Sequence, residues 1–423
     1  MAIDKQASCA DEVEPALLPV EEAVQRIAAL LQPVDESEVL PIRECLNRVL
    51  AADIASPIDV PSHTNSAMDG YAINADDIPS KDLAVLDVIG IAWAGKPFEG
   101  VVSRGQAVRI MTGAAMPDGA DTVVIQEHVQ VENDRLTLDA DNSPGQNVRH
   151  AGEDVKKGEI ILHKGTLLTP AHLGMMASLG IASAAVVRRL RVAFFSTGDE
   201  LRALSLESDQ QLGKGEIYDS NRYSLFGMLK RLDVEPLDLG VVPDKPELIR
   251  ETFERAAEVA DVIVTSGGVS VGDADFVSEI LHEIGDIAFW KLAMRPGRPL
   301  ACGKLGNAVF FGLPGNPVAV MVTFYEFVQP ALQMLMGRSA TQAQRFRVRC
   351  TSKLRKSAGR AEFQRGILYT DESGETRVKS TGKQGAGRLS SMCSANCIIV
   401  IEPGGGDITP GDWVEVQPFF GLI

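Results

Sequence analysis

Cysteine is scarce in this chain of 423 residues, and the six present (Cys9, Cys45, Cys302, Cys350, Cys393 and Cys397) are scattered. Cys393 and Cys397 are four apart, but no histidine or second cysteine pair adjoins them. That spacing reads as reduced structural thiols rather than a zinc site or a disulfide framework. His63, His128 and His150 show no ligand spacing, and no Ser/His/Asp pattern suggests a nucleophilic triad. No uninterrupted apolar run is long enough to span a bilayer. The first fourteen residues lack the basic-then-apolar build of a signal peptide, so residues 1–14 read as a disordered tail on a cytoplasmic protein. Positive charge is also short. Against 57 Asp and Glu there are 41 Lys and Arg, a net charge of −16. This argues against nonspecific nucleic-acid binding, which rests on neutralising phosphates. An anionic ligand would need cations gathered locally against the overall field.

The length implies two to four domains. A helical period covers 20–31 and stops at Pro33. From 57 to about 146, short Val/Ile-rich runs alternate with Gly, Pro, Asn and Asp, as in a small β region. Thr169-Pro170 opens a second helix. Between 191 and 336, apolar strand candidates at 192–196, 237–242, 262–265 and 308–312 alternate with helical patterns at 220–231, 246–259, 273–284 and 317–336. That alternation predicts a parallel sheet flanked by helices. After Gly337 short strands and turns return. The expected fold is multidomain α/β: a central parallel-sheet domain (190–338), flanking mostly-β regions, and a C-terminal β-barrel-like domain (339–423). The small β domain (57–144) interrupts an extended N-terminal domain made of 15–56 and 145–189.

The most informative stretch is Leu313-Pro314-Gly315-Asn316-Pro317-Val318, which reads as a strand end, a rigid turn and a helix start. Such loops are where open α/β sheets bind phosphates and other anions. Two adjacent glycines in 265–275 (TSGGVSVGDAD) turn backbone N–H groups inward as an anion cradle, with hydroxyls at Ser266 and Ser270. Asp273 reads as a helix cap. Asp275 either complements the helix dipole or holds Mg²⁺ beside a phosphate. Glu200, Asp244 and Asp275 follow successive strands, and carboxylates crowded on one rim are usually reconciled by a metal. Lys291, Arg295 and Arg298 surround a Pro-Gly turn, and arginine suits oxyanions through bidentate bonds. Asp69 and Thr112 sit in strings that residue chemistry alone reads as tight hairpins.

Together these strings resemble the MoeA family of molybdopterin molybdenumtransferases, which includes the C-terminal domain of gephyrin. The matching pieces are 66–72 (SAMDGYA), 109–113 (RIMTG), 196–201 (STGDEL), 217–222 (IYDSNR), 265–275, 295–299 (RPGRP), 313–318 (LPGNPV), 362–366 (EFQRG) and 389–392 (LSSM). The resemblance implies a homodimer whose site closes across subunits, and insertion of molybdate into adenylylated molybdopterin with release of AMP and Mg²⁺ as cofactor. It also implies an upstream molybdopterin adenylyltransferase, and molybdoenzymes or their chaperones downstream. By resemblance, Asp69, Thr112, Glu200, Asp244 and Asp275 are catalytic or metal-proximal, the last three as metal ligands. Arg295, Arg298, Arg365 and Ser391 are oxyanion-binding, with Lys291 in support. Ser266, Gly267, Gly268 and Ser270 cradle the pterin phosphate, and Pro314 and Pro317 shape the loop. Two features depart from many relatives: Ala319 replaces a serine, and arginine replaces lysine at 295 and 298. Alternative readings are an adenylyltransferase and a non-catalytic scaffold.

Overall fold

Val262-Ile263-Val264-Thr265 is β-branched throughout and therefore favours an extended chain. In the computed structural model, which describes residues 17–205, 211–268, 276–338 and 343–419, this run lies in the middle of a six-stranded sheet. The strand order is Glu235–Val242, Arg191–Thr197, Val262–Ser266, Ala308–Leu313, Pro299–Leu305 and Asp286–Lys291. The first four strands are parallel, and Pro299–Leu305 runs antiparallel to both its neighbours, Ala308–Leu313 and Asp286–Lys291. The sheet is thus mixed rather than purely parallel. The added strands form a hairpin with Ala308–Leu313 in which Leu305 pairs Ala308, so only Gly306 and Asn307 turn the chain. Gly306 takes φ +59°, as such a tight turn requires.

Alternate residues of each strand feed opposite faces. Ala193, Phe195, Ile263 and Phe310 pack under the helix Pro246–Val259. There Phe253 meets Phe195 and Phe310 edge-on, with ring centroids 5.1 and 5.6 Å away. Val192, Phe194, Val264 and Phe311 face the other way, into a larger core. That core also takes in the N-terminal helix Val20–Leu30, the helix Asn221–Arg231 and barrel residues such as Phe363 and Ile398.

The 317–336 helix is not continuous. Pro317–Thr323 and Gln329–Leu335 are α-helical, and Phe324–Val328 between them is a π turn. Pro330 has no N–H to return to the Glu326 carbonyl, and a widened turn accommodates the missing bond. By length and composition alone Pro317–Leu335 would suffice to cross a membrane, but 78% of its apolar window is buried inside the protein, as in a core helix.

Flanking the sheet, Ser37–Pro41, Ile54–Ala55 and Asn65–Ser66 pair antiparallel with Ser183–Val187, Ile160–Leu162 and Val148–Arg149. Between these arms lies a six-stranded curved sheet containing Gly70–Ile73 and Gln106–Ile110. In the C-terminal region Ala361–Thr370, Thr376–Ser380, Phe346–Cys350, Trp413–Pro418 and Cys397–Ile401 close into a five-stranded barrel. Met294–Arg295 joins that barrel sheet by pairing with Ala361 and Glu362. The expected tail at residues 1–14, and Ser270, Asp273 and Asp275, lie outside the described residues.

Phe253 is fully buried between two aromatic rings. Phe253→Ala should therefore lower stability by about 3–5 kcal/mol. Urea unfolding followed by circular dichroism would read this as an earlier midpoint with unchanged slope. A midpoint equal to that of the unsubstituted protein would contradict the packing described.

Candidate active site

Because the first four strands are parallel, their carboxyl ends share one edge of the sheet. Thr197 leads to Glu200, Val242 to Asp244, Ser266 to Gly267 and Gly268, and Leu313 to Pro314 and Gly315. The antiparallel Pro299–Leu305 strand starts at the same edge, so the turn Arg295-Pro296-Gly297-Arg298 arrives there too. These ends frame a cleft of about 650 Å³, whose walls include Glu200, Gly267, Gly268, Arg295, Arg298 and Pro314. Ala319 lies in the wall as well, where it offers no hydroxyl.

Gly267 and Gly268 adopt φ +92° and +66°. A Cβ at Gly268 would lie 2.5 Å from the Val277 side chain, and one at Gly267 would lie 2.9 Å from the Thr197 carbonyl. Only glycine satisfies both constraints. The Gly267 N–H is bonded to the Leu313 carbonyl at 3.1 Å, which ties the two loops together. Asn221, at the start of its helix, donates from Nδ2 to the Gly315 carbonyl at 2.7 Å. In the sequence Asn221 stands inside the IYDSNR string with no local signal of this role. Asn316 occupies the helix N-cap position but makes no side-chain capping bond.

A second cavity, of about 370 Å³, adjoins the first and shares Arg295, Pro296 and Gln384 with it. Its barrel wall carries Lys353, Arg355 and Arg365. Arg365 is only 1% exposed. Its Nε donates to the Ser391 hydroxyl at 3.0 Å and its guanidinium to the Gly385 carbonyl at 3.1 Å. The Gln384 side-chain oxygen accepts from the Arg365 backbone N–H at 2.7 Å. Among the described residues no carboxylate pairs with Arg365. Burial, and then the nearby charge of Arg295, lower its pKa to about 10, which leaves it charged at neutral pH. Gln384 and Gly385 carried no signal in the sequence, because a lone Gln-Gly pair resembles any loop.

The structure thus brings Glu200, Gly267, Gly268, Arg295, Arg298 and Pro314 to one cleft, with Arg365 in the adjoining cavity. Ser391 lines neither: its hydroxyl donates to the Arg388 carbonyl at 2.7 Å and accepts from Arg365, so it supports that arginine instead of offering a donor. Ser266 is placed differently. It is buried, and its hydroxyl is shared with Ser196 at 3.0 Å. Lys291 is exposed at a strand end and Pro317 opens the helix, both outside the cleft wall. Asp69 and Thr112 are paired with each other in the curved β sheet region. Asp69 Oδ1 accepts from the Thr112 N–H and hydroxyl, both at 2.7 Å. Those bonds, backbone first, hold the Asp69 carboxyl below its usual range. Neither residue lines the cleft of its own chain.

Asp244 donates its backbone N–H to Asp199 Oδ1 at 3.1 Å. Its carboxyl is pushed up from the usual range, first by desolvation and then by the like charges of Asp199 and Glu200. Among the described residues no three His, Cys, Asp or Glu side chains gather closely enough to hold a metal. Asp275, the third proposed ligand, lies outside those residues.

An acid whose pKa is raised by folding keeps its proton in the native state over a window where the unfolded chain has lost it. Stability therefore falls as pH rises from the ordinary carboxylate value through the raised one. Asp244→Asn removes that loss. Its melting temperature should equal or exceed that of the unsubstituted protein at pH 7, and the two should converge near pH ~3. A lower melting temperature for the variant at pH 7 would refute the crowding of this rim.

Comparison with known proteins adds three family matches in chain order. Residues 18–180 match the MoeA N-terminal region (domain I and II), 193–334 a probable molybdopterin binding domain, and 347–419 the MoeA C-terminal region (domain IV). The chain is 43% identical over 409 residues to a molybdopterin molybdenumtransferase of Haemophilus influenzae, covering 96% of this chain and 100% of that protein. It is 34% identical to one from Bacillus subtilis, covering 94% and 93%. Gephyrin of Dictyostelium discoideum is 31% identical, over 94% of this chain and 62% of that protein. Among solved structures, a molybdopterin biosynthesis moeA protein from Pyrococcus horikoshii OT3 superposes with a TM-score of 0.84 at 31% identity, covering 95% and 100%.

Proposed function

The chain belongs to the MoeA family of molybdopterin molybdenumtransferases and acts as a transferase in molybdenum cofactor biosynthesis, and from that premise we propose that it inserts molybdate into adenylylated molybdopterin, cleaving the pyrophosphate link and releasing AMP. The observation that carries this reading is Arg365, a buried cation facing Arg295 with no carboxylate partner among the described residues. An oxyanion is the species such a pair is short of. Its charge offsets the repulsion, and its oxygens accept in the fork geometry of a guanidinium. Arg298 adds a further donor in the cleft wall, whereas the Ser391 hydroxyl, which accepts from Arg365 and donates to the Arg388 carbonyl at 2.7 Å, holds Arg365 in place rather than binding the anion itself.

The Gly267–Gly268 turn ends a strand at this cleft, and with the Gly267 N–H taken by the Leu313 carbonyl it is the Gly268 N–H that suits a phosphate approached by the backbone. The donor chemistry of the acidic rim fits Mg²⁺. Glu200 and Asp244 offer only oxygen, and the desolvation and, after it, the like charges of Asp199 and Glu200 that raise Asp244 are what a divalent cation offsets. Those two, with Asp275 beyond the described residues, would hold the ion, which when bound neutralises charge on the pyrophosphate. The protein's own contribution is positioning: it orients molybdate on the arginines beside the end of the substrate it enters.

The same reading makes the protein a cytoplasmic homodimer. Asp69 and Thr112, exposed and remote from the cleft of their own chain, would complete the partner's site. Ile217, in the cleft wall, and the neighbouring Tyr223 and Phe226 are large apolar side chains left exposed, as a subunit interface would use. The substrate would come from a molybdopterin adenylyltransferase, and the product would pass to molybdoenzymes or their chaperones. An adenylyltransferase or scaffold reading is not favoured, because curated transferases match the chain from end to end.

Purified protein given adenylylated molybdopterin and Mg²⁺ should release AMP in proportion to added molybdate. Arg365→Met should cut that release by about a hundredfold or more. It should still fold, because removing an unpaired buried charge relieves a desolvation penalty. Wild-type AMP release from the variant would defeat the role given to Arg365. Absence of release from folded wild-type protein would defeat the transferase reading.

A further inference from the structure

Glu326 is a buried carboxylate that the proposed chemistry does not use, and it sits on the π turn Phe324–Val328. Its bonds leave the central domain. Arg345, in the segment leading into the barrel, donates to Glu326 Oε2 at 2.9 Å. Gln417, on the last barrel strand, donates from Nε2 to Glu326 Oε1 at 3.0 Å. Arg345 Nε closes the triangle on the Gln417 oxygen at 2.7 Å. Beside it, the ring of Tyr325 lies against that of Phe419, with centroids 6.1 Å apart. Isolated π turns are costly and tend to persist where they serve a site. Here the widened turn aims a charge at the barrel.

The barrel register shows what that charge reaches. Gln417 pairs directly with Ile398, and Ile398 pairs directly with Arg365. The three residues form one rung across adjacent strands, so Gln417 and Arg365 stand about 10 Å apart on the same face of the sheet. Ile398 on that rung packs into the large core shared with the central domain. At its other end the same composite helix touches the barrel again, where the Val318 N–H donates to the Ala386 carbonyl at 3.0 Å, one residue beyond the Gly385 that holds Arg365. The helix therefore grips the barrel at two points, one beside the cleft and one on the rung of Arg365.

We infer that Glu326, Arg345 and Gln417 form a positioning latch that sets where the barrel presents Arg365 to the phosphate end of the cleft on the central sheet. The latch touches neither substrate. It fixes the relative placement of two half-sites that belong to different domains, and it rests on the oxyanion role proposed for Arg365. Loss of the latch lets the barrel turn about its attachments at Met294–Arg295 and Ala386. The oxyanion half-site is displaced while the Gly267–Gly268 cradle stays in the central sheet.

The test uses isosteric exchanges in the full-length protein, with molybdate-dependent AMP release as the assay. Glu326→Gln should raise KM for molybdate about tenfold while leaving KM for adenylylated molybdopterin within about twofold. Arg345→Lys, which keeps the carboxylate paired, should produce a smaller shift of the same kind and serves if the first variant does not fold. Combining Glu326→Gln with Gln417→Glu moves the charge one residue across the triangle and should restore the wild-type KM for molybdate. The latch is overturned if the single variants leave both KM values unchanged, if both rise together with a lowered melting temperature, or if the paired exchange restores nothing. Wild-type protein that releases no AMP in response to molybdate overturns the oxyanion reading and the latch with it. Active wild type with unaltered variants overturns the latch alone.

Discussion

A guanidinium buried without a counter-charge is the constraint around which the site is built. Arg365 is 1% exposed in a chain of net charge −16, yet no carboxylate among the described residues neutralises it. Desolvating such a charge costs several kcal/mol. The fold tolerates it because a barrel strand fixes the backbone while the Ser391 hydroxyl and Gly385 carbonyl take two of its N–H bonds. Supplying a carboxylate would have been an easy remedy in so acidic a protein. Its absence leaves the remaining donor capacity directed at the cavity shared with Arg295.

The central sheet contributes the opposite kind of surface. Parallel strands bring several loops to one edge without any need for the loops to resemble one another. Glycines at 267 and 268 keep the backbone low enough to approach an anion, since a Cβ at either would strike Val277 or Thr197. The Gly267–Leu313 and Asn221–Gly315 bonds then hold two such loops together.

Much of this was legible in the sequence, for identifiable reasons. The β-branched run 262–265 and the helical period at 246–259 report burial that local chemistry already demands, and both elements appear where the pattern places them. The Gly-Asn hairpin at 306–307 is less legible, because its signal is two residues long and the cationic turn at 295–298 precedes its first strand. The π turn went unread because Pro330 inside an apolar run changes hydrogen bonding, not composition. At the site, Gly267, Gly268 and the 295–298 turn carry their chemistry in adjacent residues. Gln384, Gly385 and the Glu326–Arg345–Gln417 triangle do not. Those contacts join residues 19 to 91 apart, and nothing local in the sequence encodes them. Ser266 is the converse case: its hydroxyl looked available in the motif but is spent on Ser196 inside the sheet.

The division of the site between two domains follows from the charges themselves. Glu200 and Asp244 are suited to a cation beside a pyrophosphate, and Arg365 to an oxyanion. A carboxylate placed directly against Arg365 would pair with it and cancel both capacities. Arg295 and Arg298 share the cleft wall with Glu200, but putting Arg365 on a barrel strand keeps that buried arginine apart from the rim acids. The arrangement has a mechanical cost, because two half-sites on separate domains are only as well aligned as the joint between them. A shared apolar core supplies contact but little direction, since dispersion and burial are nearly indifferent to small rotations. Hydrogen bonds to a buried carboxylate are directional and expensive to leave unmade. A charged triangle at the joint, in a protein that elsewhere avoids pairing its functional arginine, is what alignment of such a cleft requires.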